Sequence, residues 1–83
     1  MASRPLADLI AVFRTSLNLP AEVEVPKLKY RERPEWSSVG HMQLVAGLET
    51  AFEIMLETDD VLDLSSFDKA VEILAKYDLH FAP

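Results

Sequence analysis

Apolar residues recur at three- and four-residue steps in three stretches of this chain, and no cysteine is present to staple a fold of another kind. With disulfides and sulfur metal sites removed, the 83 residues must rest on helix or sheet packing alone. That length allows one domain, spanning 1–83, and a domain this small buries only about 60% of the surface its unfolded chain exposes. A two-domain enzyme is excluded, and little apolar material is left to wall an enclosed substrate cavity.

The first stretch places Leu6, Leu9, Ile10, Phe13 and Leu17 in one stripe, which predicts a helix from about Arg4 to Leu17 with Ser3 as its N-cap and Pro5 in its first turn. Asn18 and Pro20 end it. From Pro20 to Trp36 the chain holds Pro20, Pro26 and Pro34 without a sustained period and is expected to run as a long loop. Val23, Val25, Leu28 and Tyr30 alternate there, but no second strand offers a partner, so they are expected to pin the loop onto the helices. A second helix is expected from Ser37 or Ser38 to near Phe52. A short third should run from Thr58 or Asp59 to about Leu64, with Thr58 as cap. A fourth should run from Phe67 to about Asp78, with Ser65 and Asp68 at capping-box spacing. Its stripe is Phe67, Ala70, Val71 and Leu74, widened by Ile73 and Tyr77. The expected fold class is all-α: a four-helix bundle of three longer helices and one short one, with a long first loop.

Charge narrows the partners. Eight Lys and Arg against 14 Asp and Glu give a net charge of −6, which argues against binding nucleic acid through its phosphates. No apolar run approaches the roughly 20 residues that span a bilayer, and the N-terminus lacks signal-peptide character, so neither a membrane partner nor secretion is expected. A cytoplasmic monomer is the expectation.

The second helix carries the most information. His41, Leu44, Val45, Leu48 and Phe52 share one face, while Val39, Met42 and Ala46 form another, interleaved with Gln43, Glu49 and Glu53. One apolar stripe serves the core; the other either packs internally or stays exposed for a partner. Gly40 and Gly47 lie on nearly the same flank, although each costs about 1 kcal/mol relative to Ala inside a helix; a close approach by another segment or a ligand would explain them. Ser38 opens the helix beside Ser37. A serine there caps orphan N–H groups, and the same position favours an anion such as a phosphodiester on the hydroxyl. Trp36 either shields that position or staples the loop to the core.

The run Trp36-Ser37-Ser38-Val39-Gly40-His41-Met42-Gln43-Leu44-Val45, with Leu48-Glu49 and Phe52 after it, resembles the acyl carrier protein family, whose second helix starts Asp-Ser-Leu or Asp-Ser-Val and ends Leu-Glu-x-x-Phe. Asp59 to Asp68 resembles that family's short third helix and the start of its fourth. The likeness spans nearly the whole chain. It implies attachment of 4′-phosphopantetheine to Ser38, taken from coenzyme A by a phosphopantetheinyl transferase. The arm's thiol would carry acyl or aminoacyl groups as thioesters between an activating ligase and acyl-transferring enzymes, in fatty acid, polyketide or related pathways. The protein itself would not be an enzyme; the cofactor would supply the sulfur that the chain lacks. The family's exposed contact surface falls on Val39, Met42, Ala46 and Glu49, the expected docking face. Two departures stand out: Ser37 replaces the usual Asp before the modified serine, and Gly40 and Gln43 occupy positions usually acidic. A carrier-fold protein that is never modified and acts as a scaffold is the alternative.

Other groupings point to less. His41 and His80 lack metal-ligand spacing, with His41 expected in the core or at its boundary and His80 in a frayed tail. Asp59, Asp60 and Asp63 lack the glycine and spaced oxygens of a calcium loop, so no metal site is expected. Lys27, Lys29, Arg31 and Arg33 form a basic patch in the loop that guides an acidic partner or pairs with Glu32 and Glu35. A hydrolase built on Ser38 would need a His and an acid arranged to activate it, and none is visible.

Overall fold

A computed structural model describes residues 3–82. In chain order it contains β1 (Ser3–Pro5), α1 (Leu6–Leu17), a 3₁₀ turn (Val25–Lys27), α2 (Ser38–Phe52), α3 (Thr58–Asp63), α4 (Phe67–Ala75) and β2 (His80–Ala82). The four expected helices are present. The all-α expectation needs one correction, because β1 and β2 pair as a small parallel sheet with Ser3 opposite His80, Arg4 opposite Phe81 and Pro5 opposite Ala82.

Pro5 favours the first of these strands. A proline disfavours helical backbone in the residue before it, so Arg4 is extended and α1 starts only at Leu6. Ser3 is therefore a strand residue and no cap; Pro5 takes the N-cap position without a side-chain bond. His80 is likewise part of β2 and not a frayed end. Phe52 joins the sheet to the core: the Phe81 ring meets it edge-on at 5.4 Å and the Arg4 guanidinium lies 5.2 Å from its centroid.

α1 buries Leu9, Phe13 and Leu17. It ends at Asn18, whose left-handed backbone (φ 54°) lets its N–H and that of Leu19 reach the carbonyls of Thr15 and Arg14. Arg14 then binds the Pro20 carbonyl at 2.8 Å and the Val23 carbonyl at 3.3 Å, which fixes where the loop departs.

Of the alternating residues Val23, Val25 and Leu28 are buried and pin the loop, whereas Tyr30 is half-buried; Trp36, outside that alternation, is buried as well. The segment forms no strand, as expected, but one isolated bridge joins it to the start of α4. Lys29 forms an antiparallel bridge with Ser66, Tyr30 N–H donates to Ser65 O at 2.8 Å, and Phe67 N–H donates to Leu28 O at 3.0 Å. Such a bridge satisfies backbone groups that a buried loop must otherwise leave orphaned. Trp36 is 0% exposed and packs edge-on against Phe13 at 5.6 Å, while Phe13 meets Phe67 at 5.0 Å. The loop is thus stapled to the centre of the core by its tryptophan.

Two caps differ from expectation. Thr58 is the first residue of α3, with Glu57 at the N-cap and no side-chain bond. α4 is capped by Ser66, whose Oγ accepts from Lys69 N–H at 3.0 Å, and not by Ser65, which lends its carbonyl to Tyr30. α4 also ends at Ala75, earlier than expected; residues 76–78 continue as tighter turns to a left-handed Asp78 (φ 67°). In α4, Ile73 is buried and Val71 half-buried. No helix among the described residues is long and apolar enough to cross a membrane.

Candidate functional site

The first turn of α2 separates two adjacent serines. Ser37 has extended backbone, its Oγ accepts from Gly40 N–H at 3.2 Å, and its carbonyl accepts from His41 N–H at 2.7 Å. It is the N-cap. Ser38, the first helical residue, is exposed, and its hydroxyl is not used for capping. The Tyr30 hydroxyl lies 3.4 Å from Ser38 Oγ.

Gly40 makes this turn feasible. A Cβ there would stand 2.1 Å from the carbonyl oxygen of Glu35 and 3.2 Å from Leu17, so the glycine lets the loop backbone run directly over α2. Gly47 faces α1, with Ser16 Oγ 2.1 Å from the position of its missing Cβ. Both glycines mark close approaches by other segments of the chain, one of the two explanations the sequence left open.

Behind Ser38 stands an aromatic group that sequence reasoning did not assemble. Trp36 Nε1–H donates to His41 Nδ1 at 3.0 Å, and the two rings are nearly parallel, 6.2 Å apart. Because Nδ1 accepts, the proton of a neutral imidazole sits on Nε2, which donates to the Val61 carbonyl at 2.8 Å. Tyr30 meets His41 edge-on at 5.2 Å. The i, i+5 placement of Trp36 and His41 across the helix start was the available signal, but it carries no meaning until Trp36 is known to turn inward. His41 is thus engaged on both nitrogens and is not the base of a Ser38 nucleophile.

A groove of about 330 Å³ opens beside Ser38 between α2 and α3, with Tyr30, His41, Met42, Val61, Leu62 and Leu64 among its lining residues. Its rim continues into an exposed apolar patch: Val39 is 70% exposed, Met42 58% and Leu62 76%, and Ala46 is exposed as well. Leu62 had no place in the expected docking face. Glu49 differs from the other three residues of that face. It is half-buried, its carboxylate accepts Leu56 N–H at 2.9 Å, and its carbonyl accepts Ile54 N–H at 3.1 Å, so it closes the turn after α2.

On the far side of α3, Asp60 is buried and its carboxylate accepts from Lys76 Nζ and the Tyr77 hydroxyl, which itself accepts Glu57 N–H at 2.9 Å. The hydrogen bond from Lys76, then that from Tyr77, holds the Asp60 carboxyl below its ordinary range, and Asp60 in turn raises Lys76. Burial first, then the bond to Asp60, raises the Tyr77 phenol. Asp60, in the first turn of α3, is therefore a buried tie between that helix and the turn that follows α4. Among the described residues no three His, Asp or Glu side chains converge as a metal site. In the basic loop, Arg33 pairs with Glu35 at 3.1 Å and draws its carboxyl below the usual value, Lys27 pairs with Glu24 at 3.0 Å in place of Glu32, and Arg31 lies 5.8 Å from the Tyr30 ring centroid.

Comparisons of the chain with protein-family models, with curated proteins and with solved structures give no match.

Proposed function

We propose that the protein is a freestanding acyl carrier protein, with an acyl-carrier-like arrangement of its four helices and 4′-phosphopantetheine esterified to Ser38. The observation that carries this reading is the division of labour between the two serines. Ser37 accepts the capping bond, so the exposed Ser38 hydroxyl is free for an ester at the positively polarised end of α2. The residues present fit such a group: an exposed hydroxyl outside the cap, the Tyr30 hydroxyl within hydrogen-bond reach of it at 3.4 Å, and an apolar groove beside it.

In the attachment step, Ser38 Oγ forms a bond to the phosphorus nearer the pantetheine of coenzyme A, the pyrophosphate bond breaks, and the adenosine bisphosphate half leaves. The Ser38 proton passes to a base of the phosphopantetheinyl transferase. When bound, the arm supplies the thiol for thioester chemistry. The chain's own contribution is position: α2 holds the tether, and Val39, Met42 and Ala46, together with Leu62, offer an apolar face to a ligase or acyl-transferring enzyme, while Glu49 holds the turn below it. The cytoplasmic, monomeric setting belongs to the same reading.

Incubation with coenzyme A and a broad-specificity transferase is expected to raise the intact mass by one phosphopantetheine group, and Ser38→Ala to abolish the gain. No gain with several transferases would favour an unmodified scaffold, the second reading, for which Ser37 in place of the family's Asp is the supporting observation.

A further inference from the structure

His41 lines the groove beside Ser38 on the side of Trp36, and its polar atoms are already matched. Trp36 Nε1–H, His41 and the Val61 carbonyl form one chain of hydrogen bonds. It reaches α3, whose buried residue Asp60 is engaged on the other side by Lys76 and Tyr77; on the groove side α3 is held by the His41 bond to the Val61 carbonyl together with the packing of Val61 against the core. Behind the imidazole lies Trp36, fully buried, and then Phe13.

An aliphatic chain passing from this groove toward the buried Trp36 meets the imidazole and has to displace it. Displacement breaks both bonds and strands the N–H of the fully buried Trp36, and that loss opposes the gain from burying methylenes. No side-chain polar atom among the described residues is buried without a partner, so the intrusion would create a defect that the fold otherwise lacks. In front of His41 the groove is open, apolar on Met42, Val61 and Leu62, with the Tyr30 and Ser38 hydroxyls at its edge.

We propose that His41 is a specificity-determining residue that sets the depth of this groove, so that the cargo held at Ser38 is a short acyl or aminoacyl group lying in the open groove, and long aliphatic chains stay outside the core. The proposal rests on the carrier reading above, and it adds the class of cargo and the residue that selects it.

The chain has a single tryptophan, so one indole N–H resonance reports on the Trp36–His41 bond. 1-Octanol is titrated onto the full unmodified protein, and in a second arm Ser38 is loaded from acetyl- or octanoyl-coenzyme A. The wild-type resonance is expected to hold its position throughout. In His41→Ala, octanol is expected to displace the resonance saturably from its starting position, and the octanoyl arm but not the acetyl arm to do the same. His41→Gln, whose amide both donates and accepts, is expected to behave as wild type. A saturable displacement in the wild-type protein overturns the proposal, and so does a His41→Ala response matching wild type. If His41→Ala fails to fold, the wild-type titration and His41→Gln still decide. Failure to load from either coenzyme A derivative would sink the carrier reading alone, because the octanol titration needs no modification.

Discussion

The carbonyl oxygen of Glu35 occupies the space that a side chain on Gly40 would need, 2.1 Å from an ideal Cβ. The obstacle is backbone, held between the Arg33–Glu35 ion pair and the buried Trp36, and it has nowhere to retreat. At Gly47 the obstacle at 2.1 Å is the hydroxyl of Ser16, which rotates on one bond. Gly40→Ala is therefore expected to lower unfolding free energy by about 1–3 kcal/mol in spite of better helix propensity, while Gly47→Ala stays within about 1 kcal/mol of wild type. Urea titration of both variants checks this; equal losses would mean that the two approaches are equally rigid.

Adjacent serines should separate stability from modification. Ser37→Ala removes the acceptor of Gly40 N–H and is expected to cost about 1 kcal/mol, as is Ser66→Ala at the start of α4. Ser38→Ala touches no cap and should stay within about 0.5 kcal/mol. Thermal unfolding of the three variants, set beside the mass gain with coenzyme A, shows whether the second serine is spare in the fold.

Much of this was legible in the sequence, for reasons that also mark the limit. Leu44, Val45, Leu48 and Phe52 share a face that any helix through them must bury, and Val39 and Met42 must then face out. Local period decides such matters. It does not decide which of Ser37 and Ser38, or Ser65 and Ser66, caps a helix, because moving the boundary by one residue keeps the stripe intact. It cannot show β1 and β2 either: their pairing joins residues 3–5 to 80–82, and three-residue strands are too short to carry a pattern of their own. The inward turn of Trp36 and the engagement of Asp60 by Lys76 and Tyr77 are long-range in the same way. The groove and its Tyr30, His41 and Val61 neighbours follow from those contacts, so Ser38 was readable as a candidate and its surroundings were not.

The Asp60 network sets a pH dependence at both ends. Its carboxyl is held below the ordinary 3.8, so its contribution is complete above that value and is lost as pH falls through the lower, folded value. Lys76 is raised above 10.5 and Tyr77 above 10.0, so their contributions are complete below those values and are lost as pH rises through the folded ones. Stability is expected to be flat between the two limits as far as this cluster is concerned. Asp60→Asn should shrink the acid limb and Lys76→Met the alkaline one. Chemical denaturation across pH would refute the assignment if Asp60→Asn left the acid limb as steep as in wild type.

Met42 should matter to partners and not to the fold. At 58% exposed, Met42→Glu removes little packing, and stability is expected to stay within about 0.5 kcal/mol. A carboxylate in the centre of an apolar contact is costly to desolvate, so transfer from a cognate loading enzyme is expected to fall about tenfold or more. Unchanged transfer kinetics with intact folding would remove Val39, Met42 and Ala46 from the docking face.

Ser37 is the sharpest departure from the carrier pattern, and its geometry says what restoring the Asp would do. Ser37 acts through one oxygen on Gly40 N–H, and Asp is an equally good acceptor at an N-cap. The added negative charge also meets the positive end of α2, so Ser37→Asp is expected to keep or raise stability by a few tenths to about 1 kcal/mol. The cap is thus held constant while a carboxylate is placed beside the Ser38 hydroxyl. If the missing carboxylate is what the transferase reads poorly, the initial rate of mass gain with coenzyme A should rise several-fold over wild type. An unchanged rate in a variant of undiminished stability would clear Ser37 of hindering attachment and would shift attention to Gly40 and Gln43, the other positions where this helix lacks the family's acids.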